Sequence, residues 1–218
     1  MRTDAKRSIL AGIVTALAIG VVTPTLRAQP PAPLSATSSG GVVISRVITE
    51  YDVRGQSVRE LQRAISTNGY LAPSGRRFAA ITNWNLRWSY PRSSLGPRGC
   101  SPNDVAVYID ISIRYPAWKD SAAAPTAVRA EWNRYLSTLK GHEDNHAAIA
   151  IAGAHRLHAA LKDLVNPVCA GLQRDAEARY SDASSWIRTQ SAWYDGRTKH
   201  GVAEGASLQH RPSFFWSR

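Results

Sequence analysis

The sequence has no apolar run long enough for a confident membrane span, which needs about 20 consecutive apolar residues. It has no run of five basic residues and no Arg-rich helix face. It contains only two cysteines, and neither lies in a C-x-x-C pattern. These absences exclude a multispanning membrane protein, argue against a nucleic-acid partner and disfavour a zinc site built from thiolates.

The sequence does contain enough apolar material for a folded core. Of its 218 residues 44% are hydrophobic, and the aromatic residues include seven tryptophans and eight tyrosines. A chain of this length is typical of one domain, or of one domain with appendages. The composition therefore predicts a globular protein rather than a disordered one.

The N-terminus has the pattern of a secretory signal. Residues 2–7 include three basic side chains, residues 9–22 are almost entirely apolar, and a short segment ending at Ala28 precedes a proline-rich stretch. This order predicts a signal peptide over residues 1–28, and the alternative is an uncleaved N-terminal membrane anchor. We therefore expect a periplasmic or secreted protein that keeps no stable membrane span after cleavage.

Export changes both the charge and the expected state of the cysteines. Residues 1–28 carry four basic side chains and one acidic side chain, so their removal lowers the net charge from +11 to +8. A moderately basic surface suits an anionic cell envelope, where nucleic acid is not an expected partner. In an oxidising compartment the only two cysteines, Cys100 and Cys169, are expected to form a disulfide. Closing a loop of that length would stabilise the fold by about 4 kcal/mol.

Composition along the chain predicts one domain with flexible flanks. Residues 29–40 are rich in Pro, Ser and Ala and indicate a flexible lead-in. The domain is expected over residues 41–205, followed by an irregular tail over residues 206–218. The order of its elements predicts an α+β fold in which a small, mainly antiparallel sheet precedes a helical half.

Hydrophobic periodicity places the main elements of this domain. Ser57 and Glu60 form a capping box that opens a helix. Strict alternation predicts two strands, and the second of them is expected to end at Pro116. The predicted elements, in order, are a helix over 57–69, strands over 82–90 and 105–115, helical segments after Pro125 that Gly141 either divides or weakens, and a last helix from Cys169.

Residues 142–146 form an H-E-x-x-H motif inside the long helical region. Four residues of α-helix turn by about 400°, so His142 and His146 face one point in space. Two imidazoles in this arrangement are suitable ligands for tetrahedral Zn²⁺, and Glu143 flanks them where it can take a proton from metal-bound water. The motif predicts a zinc site, and the alternative is a pair of hydrogen-bonded core histidines or a solvated polar patch at the Gly141 break.

The motif does not define a third ligand. The extended form H-E-x-x-H-x-x-G-x-x-H fails because Ile149 and Ala152 occupy its last two signature positions. His155 and His158 face away from the motif on a helical wheel. The remaining candidates are Asp175, Glu177, Asp195 and His200, with His210 in the tail as the poorest.

The chain resembles a family of uncharacterised bacterial exported proteins described as predicted secreted zinc-dependent proteases (domain of unknown function 922). The shared features, over about residues 45–205, are residues 51–55, Trp84 and Trp88, Cys100, residues 116–118, H-E-D-N-H, Cys169 and a final motif from Tyr194-Asp195 through Thr198 to His200-Gly201. The resemblance implies a zinc hydrolase. It favours His200 and Asp195 over Glu177 as the third ligand.

These features together predict a zincin-like metallopeptidase whose active-site helix carries H-E-x-x-H. The predicted substrate is a peptide or an envelope protein. The rival interpretation is a non-catalytic module that binds the envelope or cell wall and has a structural zinc site. The sequence does not define an oligomeric state. The predicted zinc ligands are His142, His146 and His200, with Asp195 and Glu177 as alternatives for the third; Glu143 is the predicted general base and Tyr194 the candidate to stabilise the oxyanion.

Overall fold

The computed structural model describes residues 35–209, so the predicted signal peptide and residues 210–218 lie outside the described residues. It confirms an α+β fold with a small sheet and three α-helices. The strands are β1 (Ser35–Ser39), β2 (Val42–Val53), β3 (Tyr70–Leu71), β4 (Arg77–Phe78), β5 (Ile81–Ser89), β6 (Arg92–Gly96), β7 (Gly99–Asn103) and β8 (Ala106–Trp118). The helices are α1 (Val58–Asn68), α2 (Thr126–Lys162) and α3 (Leu172–Thr198).

The main sheet has four strands in the order β1-β2-β8-β5. The outer pairings, β1 with β2 and β5 with β8, are antiparallel. The central pairing of β2 with β8 is parallel and runs from Val42 opposite Val107 to Val53 opposite Trp118. The sheet is therefore mixed: two of its three pairings are antiparallel, as expected, and the central one is parallel because the chain crosses over between β2 and β8 instead of turning back directly.

The predicted flexible lead-in is wrong for its last residues, because Ser35–Ser39 form strand β1. Gly40 and Gly41, which both have positive φ, turn the chain into β2, and Ser39 then pairs with Val42. A Ser- and Thr-containing segment has little apolar surface of its own. Its strand conformation follows from pairing with β2, which is a tertiary effect that the local composition does not indicate.

Strand β8 is the centre of the core. Val107, Ile109, Ile111 and Ile113 are almost fully buried, as their alternation predicts. The strand does not end at Pro116 but continues to Trp118. Pairing with β5 stops at Arg114, so Pro116 lies beyond the end of β5. Proline has no backbone N–H, but no β5 residue lies opposite Pro116, so the sheet loses no hydrogen bond there.

Helices α2 and α3 pack closely along each other. Helix α2 is a single element of 37 residues, so Gly141 weakens the helical propensity without dividing it. A Cβ atom at Gly153 would lie 2.2 Å from Cγ1 of Ile187, which shows how closely the two helices approach there. Within residues 35–209, no helix is both long and apolar enough to cross a membrane.

The predicted disulfide between Cys100 and Cys169 is confirmed. It joins β7 to the short turn of 3₁₀-helix that precedes α3. Cys100 also exchanges backbone hydrogen bonds with Asn166, at 2.7 and 2.9 Å. The bridge spans a sequence separation of 69 residues, and a loop of that size corresponds to about 4 kcal/mol of stabilisation in the chain-entropy treatment.

Residues 201–209 form a segment that we call the C-terminal strap, because it runs back over α2. Arg134 donates to the carbonyl oxygens of Gly205 (2.8 Å) and Ser207 (2.6 Å) while it pairs with Glu131. Glu131 also accepts from the backbone N–H of Gln209 at 2.6 Å. Residues 206–209 are irregular, as expected, but the structure packs them against the domain, with Ala206 and Leu208 buried.

Candidate metal centre

The two histidines of the H-E-x-x-H motif lie side by side on α2. Their Nε2 atoms are 3.3 Å apart and their ring centroids 4.8 Å apart. The His142 side chain is 3% exposed and that of His146 is 12% exposed. The helix therefore delivers both imidazoles to one nearly buried point, as the spacing of four residues predicts.

Asp195 on α3 completes a group of three potential metal ligands. Its Oδ1 lies 3.2 Å from Nε2 of His142 and 3.1 Å from Nε2 of His146. Among the described residues, His142, His146 and Asp195 are the group whose ligand atoms all lie within 4.8 Å of one another. The packing of α3 against α2 brings Asp195 to the two histidines, which are 49 and 53 positions away from it in the sequence.

The size of this triangle fits a zinc ion. Ligand atoms placed tetrahedrally about 2.0–2.1 Å from Zn²⁺ lie about 3.3 Å from one another. The three distances here are 3.1, 3.2 and 3.3 Å. Two imidazoles and one carboxylate are also a donor set that zinc accepts in catalytic sites. The residues present therefore fit the metal that the motif predicts.

A hydrogen bond on the far side of the His142 ring favours the tautomer that can bind a metal ion through Nε2. Nδ1 lies 2.9 Å from Oε2 of Glu204, in the C-terminal strap. When Nδ1–H donates to this carboxylate, the neutral ring directs the lone pair of Nε2 towards Asp195. Nε2 of His142 and Oδ1 of Asp195 would then both be electron-rich, and they can stay 3.2 Å apart only if a proton or a metal ion lies between them. A carboxylate behind a ligating histidine is the usual outer support of a zinc site.

The charges of the site agree with this requirement for a cation. Burial acts to lower the pKa of His142, but hydrogen bonds to the carboxylates of Asp195 and Glu204 outweigh it and raise that pKa above its usual value. Burial acts to raise the pKa of Asp195, yet hydrogen bonds from His142 and His146 lower it well below the usual range. The carboxylate of Asp195 therefore stays ionised, as a metal ligand must.

Glu143 lies next to this triad without belonging to it. Its side chain is buried, and its Oε2 accepts a hydrogen bond of 2.7 Å from the hydroxyl of Thr82 on β5. Burial is the largest influence on its pKa and raises it, although Thr82 and the two histidines act in the opposite direction. A carboxyl group with a raised pKa is suited to accept and return a proton near neutral pH.

A cleft of about 320 Å³ opens onto these groups. Glu143, His142, His146, Asp195 and His200 lie along one part of its wall. The rest of the wall is mostly apolar and comes from the β3–β4 hairpin, from β5 and from α2. Its larger apolar members are Tyr70, Pro73, Phe78, Ile81, Trp84 and Leu139.

The two central residues of the motif hold α2 to its neighbours. Asp144 forms an ion pair with Arg46 of β2. Asn145 donates to the hydroxyl of Tyr194 on α3 at 2.7 Å. One residue therefore ties the motif to the sheet and the other ties it to α3, which fixes the direction of the histidines between them.

The structure places Tyr194 behind the histidines instead of in the cleft. Its ring stacks on His142 with centroids 4.9 Å apart, and its hydroxyl donates to Oε1 of Glu204 at 2.8 Å. Burial and the contact with Glu204 raise its pKa to about 12. Tyr194 is not among the residues that line the cleft, so the geometry supports a positioning role and gives no support to oxyanion stabilisation.

Of the candidates for third ligand, the geometry favours Asp195 over His200. Nδ1 of His200 lies 3.3 Å from Oδ1 of Asp195, and the side chain is 38% exposed. His200 lines the cleft but is outside the triad. Glu177 is exposed and accepts a hydrogen bond from Gln173 (2.9 Å), and the structure does not bring it to the site.

The chain turns sharply after α3 to place His200 and the strap. Lys199 and His200 both have left-handed backbone conformations, with φ of 52° and 54°, which are costly for residues other than glycine. Gly201 follows with φ of 80°, and a Cβ atom there would come within 3.1 Å of Cγ of His142. The turn therefore lets the backbone pack directly against a candidate ligand.

Two residues of the site, Thr82 and Glu204, are not found by sequence reasoning. Thr82 is one polar residue in an alternating strand, and its contact with Glu143 spans 61 positions. Glu204 carries one weak signal, since it is the only acidic residue after Asp195. Both contacts depend on tertiary packing, so no local pattern indicates them.

Removal of the Glu204 carboxylate should weaken zinc binding. We expect Glu204→Ala to raise the Kd for zinc by about 10–100-fold, the usual effect of losing an outer support of a ligating histidine. Competition with a chromogenic chelator would measure this. Glu177→Ala, at an exposed glutamate on α3, should bind zinc like wild type. Equal affinity of all three proteins would contradict a supporting role for Glu204.

Comparison with protein families gives one match of wide coverage. A family described as "Bacterial protein of unknown function (DUF922)" matches residues 48–201, which include the motif, Asp195 and His200. No curated protein and no solved structure matches the chain.

Proposed function

The chain belongs to the DUF922 family of bacterial proteins of unknown function, and we propose that it is a zinc-dependent peptidase. The placement of Glu143 carries this proposal. Its carboxyl group is buried beside the triad of His142, His146 and Asp195 in the same cleft, yet it is not one of the three ligands. A carboxylate beside a metal ion that does not bind it is placed to move protons.

The proposed mechanism assigns binding and proton transfer to different residues. His142, His146 and Asp195 would hold the zinc ion. Zinc, when bound, supplies the Lewis-acid chemistry that makes water nucleophilic at neutral pH. Glu143 accepts the proton that water loses as it attacks the carbonyl carbon of a peptide bond. Glu143 then donates this proton to the leaving nitrogen.

The position of β5 supports an extended peptide as substrate. This strand is at the edge of the main sheet, and Ile81, Thr82 and Trp84 line the cleft. An extended peptide can add to such an edge by backbone hydrogen bonds, with its side chains in neighbouring pockets. The apolar wall of the cleft favours peptides that carry an apolar side chain near the bond to be cleaved.

Export is part of the proposal. The disulfide between Cys100 and Cys169 is typical of a protein from an oxidising compartment. Together with the N-terminal pattern of the sequence, it supports a periplasmic or secreted enzyme. The substrate would then be a peptide or an envelope protein.

One contact favours a second candidate function, a binding module with a structural zinc ion. Structural zinc sites use four protein ligands, whereas catalytic sites use three and leave a position open. His200 is 3.3 Å from Asp195 and could supply a fourth ligand. The buried Glu143 has no role in such a module, and for this reason we favour the peptidase.

Reconstitution with zinc tests the proposed function. We expect the metal-free protein to leave a broad peptide library intact, and one equivalent of zinc per chain to produce cleavage. Mass spectrometry of the digest would identify the bonds cut. Cleavage that is equal with and without zinc, or zinc bound at one per chain without any cleavage, would count against the peptidase.

A further inference from the structure

Thr82 connects the edge of the sheet to the proposed general base. Its hydroxyl lies 2.7 Å from Oε2 of Glu143 and 3.2 Å from the backbone oxygen of the same residue. We infer that Thr82 is a positioning residue that holds the Glu143 carboxylate and ties it to the strand on which substrate would lie. The role in catalysis depends on the proposed function, whereas the contact itself does not.

The backbone of Thr82 points to the open edge of the sheet. Val107 and Lys119 donate their N–H groups towards β2, so the odd-numbered residues of β8 bond in that direction. The even-numbered residues of β8 bond towards β5 and lie opposite its odd-numbered residues. Thr82 lies opposite Ile113, so its own N–H and C=O face away from β8.

One residue therefore serves two contacts at once. Within residues 35–209 no strand pairs with β5 on the side that the backbone of Thr82 faces, so this backbone can pair with an added peptide strand, while the side chain reaches the carboxylate of Glu143. A peptide group paired at Thr82 would lie beside the base. One side chain therefore links the substrate edge on β5 directly to the base on α2.

The hydrogen bond also selects which oxygen can take the proton. Oε2 accepts from Thr82, and within residues 35–209 Oε1 has no hydrogen-bond partner. A carboxylate fixed through one oxygen presents the other in a defined direction, which is the requirement for efficient proton transfer. Without the hydroxyl, the buried carboxylate would lose the only side-chain hydrogen bond that it makes here.

Two substitutions at position 82 separate the hydroxyl from the shape of the side chain. Thr82→Val keeps the shape and removes the donor, whereas Thr82→Ser keeps the donor. In zinc-loaded protein we expect Thr82→Val to lower kcat by about 10–100-fold with KM within about threefold of wild type. Thr82→Ser should retain kcat within about threefold. Thr49→Val, on the exposed part of β2, is the matched control and should behave like wild type.

Thermal unfolding of the metal-free proteins tests the contact without any activity. We expect Thr82→Val to lower Tm in the wild type, and to lower it by less than half as much in a Glu143→Ala background, because the carboxylate is absent there and only the longer contact with the backbone oxygen of residue 143 remains. Equal Tm shifts in both backgrounds would overturn the inference, as would full kcat in Thr82→Val. The two proposals can also fail separately. If the wild type cleaves no peptide but the Tm shift is reduced in the Glu143→Ala background, the peptidase proposal is overturned and Thr82 remains the residue that holds Glu143.

Discussion

Glu143→Gln is expected to lose peptide hydrolysis while it keeps one zinc ion per chain. Glutamine has nearly the same shape, so the buried pocket beside Thr82 remains filled and the fold should persist. Its amide cannot accept a proton from water, so the proton transfer that the mechanism requires is lost. We expect kcat to fall by about 10²–10⁴-fold, the usual contribution of a positioned acid/base group.

The measurement needs activity and zinc content from the same preparation. Digests of the peptide library would be compared with zinc quantified by atomic absorption. Glu50→Gln, an exposed glutamate on β2, makes the same chemical change away from the cleft and should have wild-type activity. Undiminished cleavage by zinc-loaded Glu143→Gln would show that Glu143 is not the base.

Asp195→Ala is expected to lose zinc almost as completely as His146→Ala. Each change leaves two of the three proposed ligands. Loss of a ligand should lower zinc affinity by more than the 10–100-fold that follows from loss of an outer support. We therefore expect the Kd for zinc to rise by more than about 100-fold in both variants. Metal analysis after dialysis against a weak chelator would measure the loss.

His200→Ala provides the matched comparison for the third ligand. Its side chain is partly exposed and lies outside the triad, so this variant should keep zinc with a Kd within about tenfold of wild type. The opposite pattern, zinc lost in His200→Ala and kept in Asp195→Ala, would restore His200 as the ligand. Zinc lost equally in both would support the closed four-ligand site of a structural zinc protein.

Much of the secondary structure can be predicted from the sequence, because its signals are local. The capping box at Ser57 and Glu60 is present as expected, and both of its reciprocal hydrogen bonds form. The alternation in β8 corresponds to a buried face. Strand β1 and the parallel pairing of β2 with β8 could not be predicted, because both depend on which distant strand is adjacent.

The distinction between local signals and tertiary packing also applies to the candidate site. His142, Glu143 and His146 are brought together by the helix itself, so their spacing is sufficient to predict them. Asp195 meets them only through the packing of α2 on α3, and the motif around it offers two candidate ligands without a means of choosing. Tyr194 illustrates the limit, since its position beside the motif does not indicate that its hydroxyl faces Asn145 and Glu204.

The C-terminal strap bears on where a functional unit of this family should be delimited. The family match ends at residue 201, but Glu204 supports His142 from beyond that boundary, and Arg134 anchors the residues that follow it. A boundary drawn by sequence similarity alone would separate a candidate ligand from its hydrogen-bond acceptor. Comparisons among relatives should therefore extend through at least residue 209 and ask whether each has a carboxylate able to reach its first motif histidine.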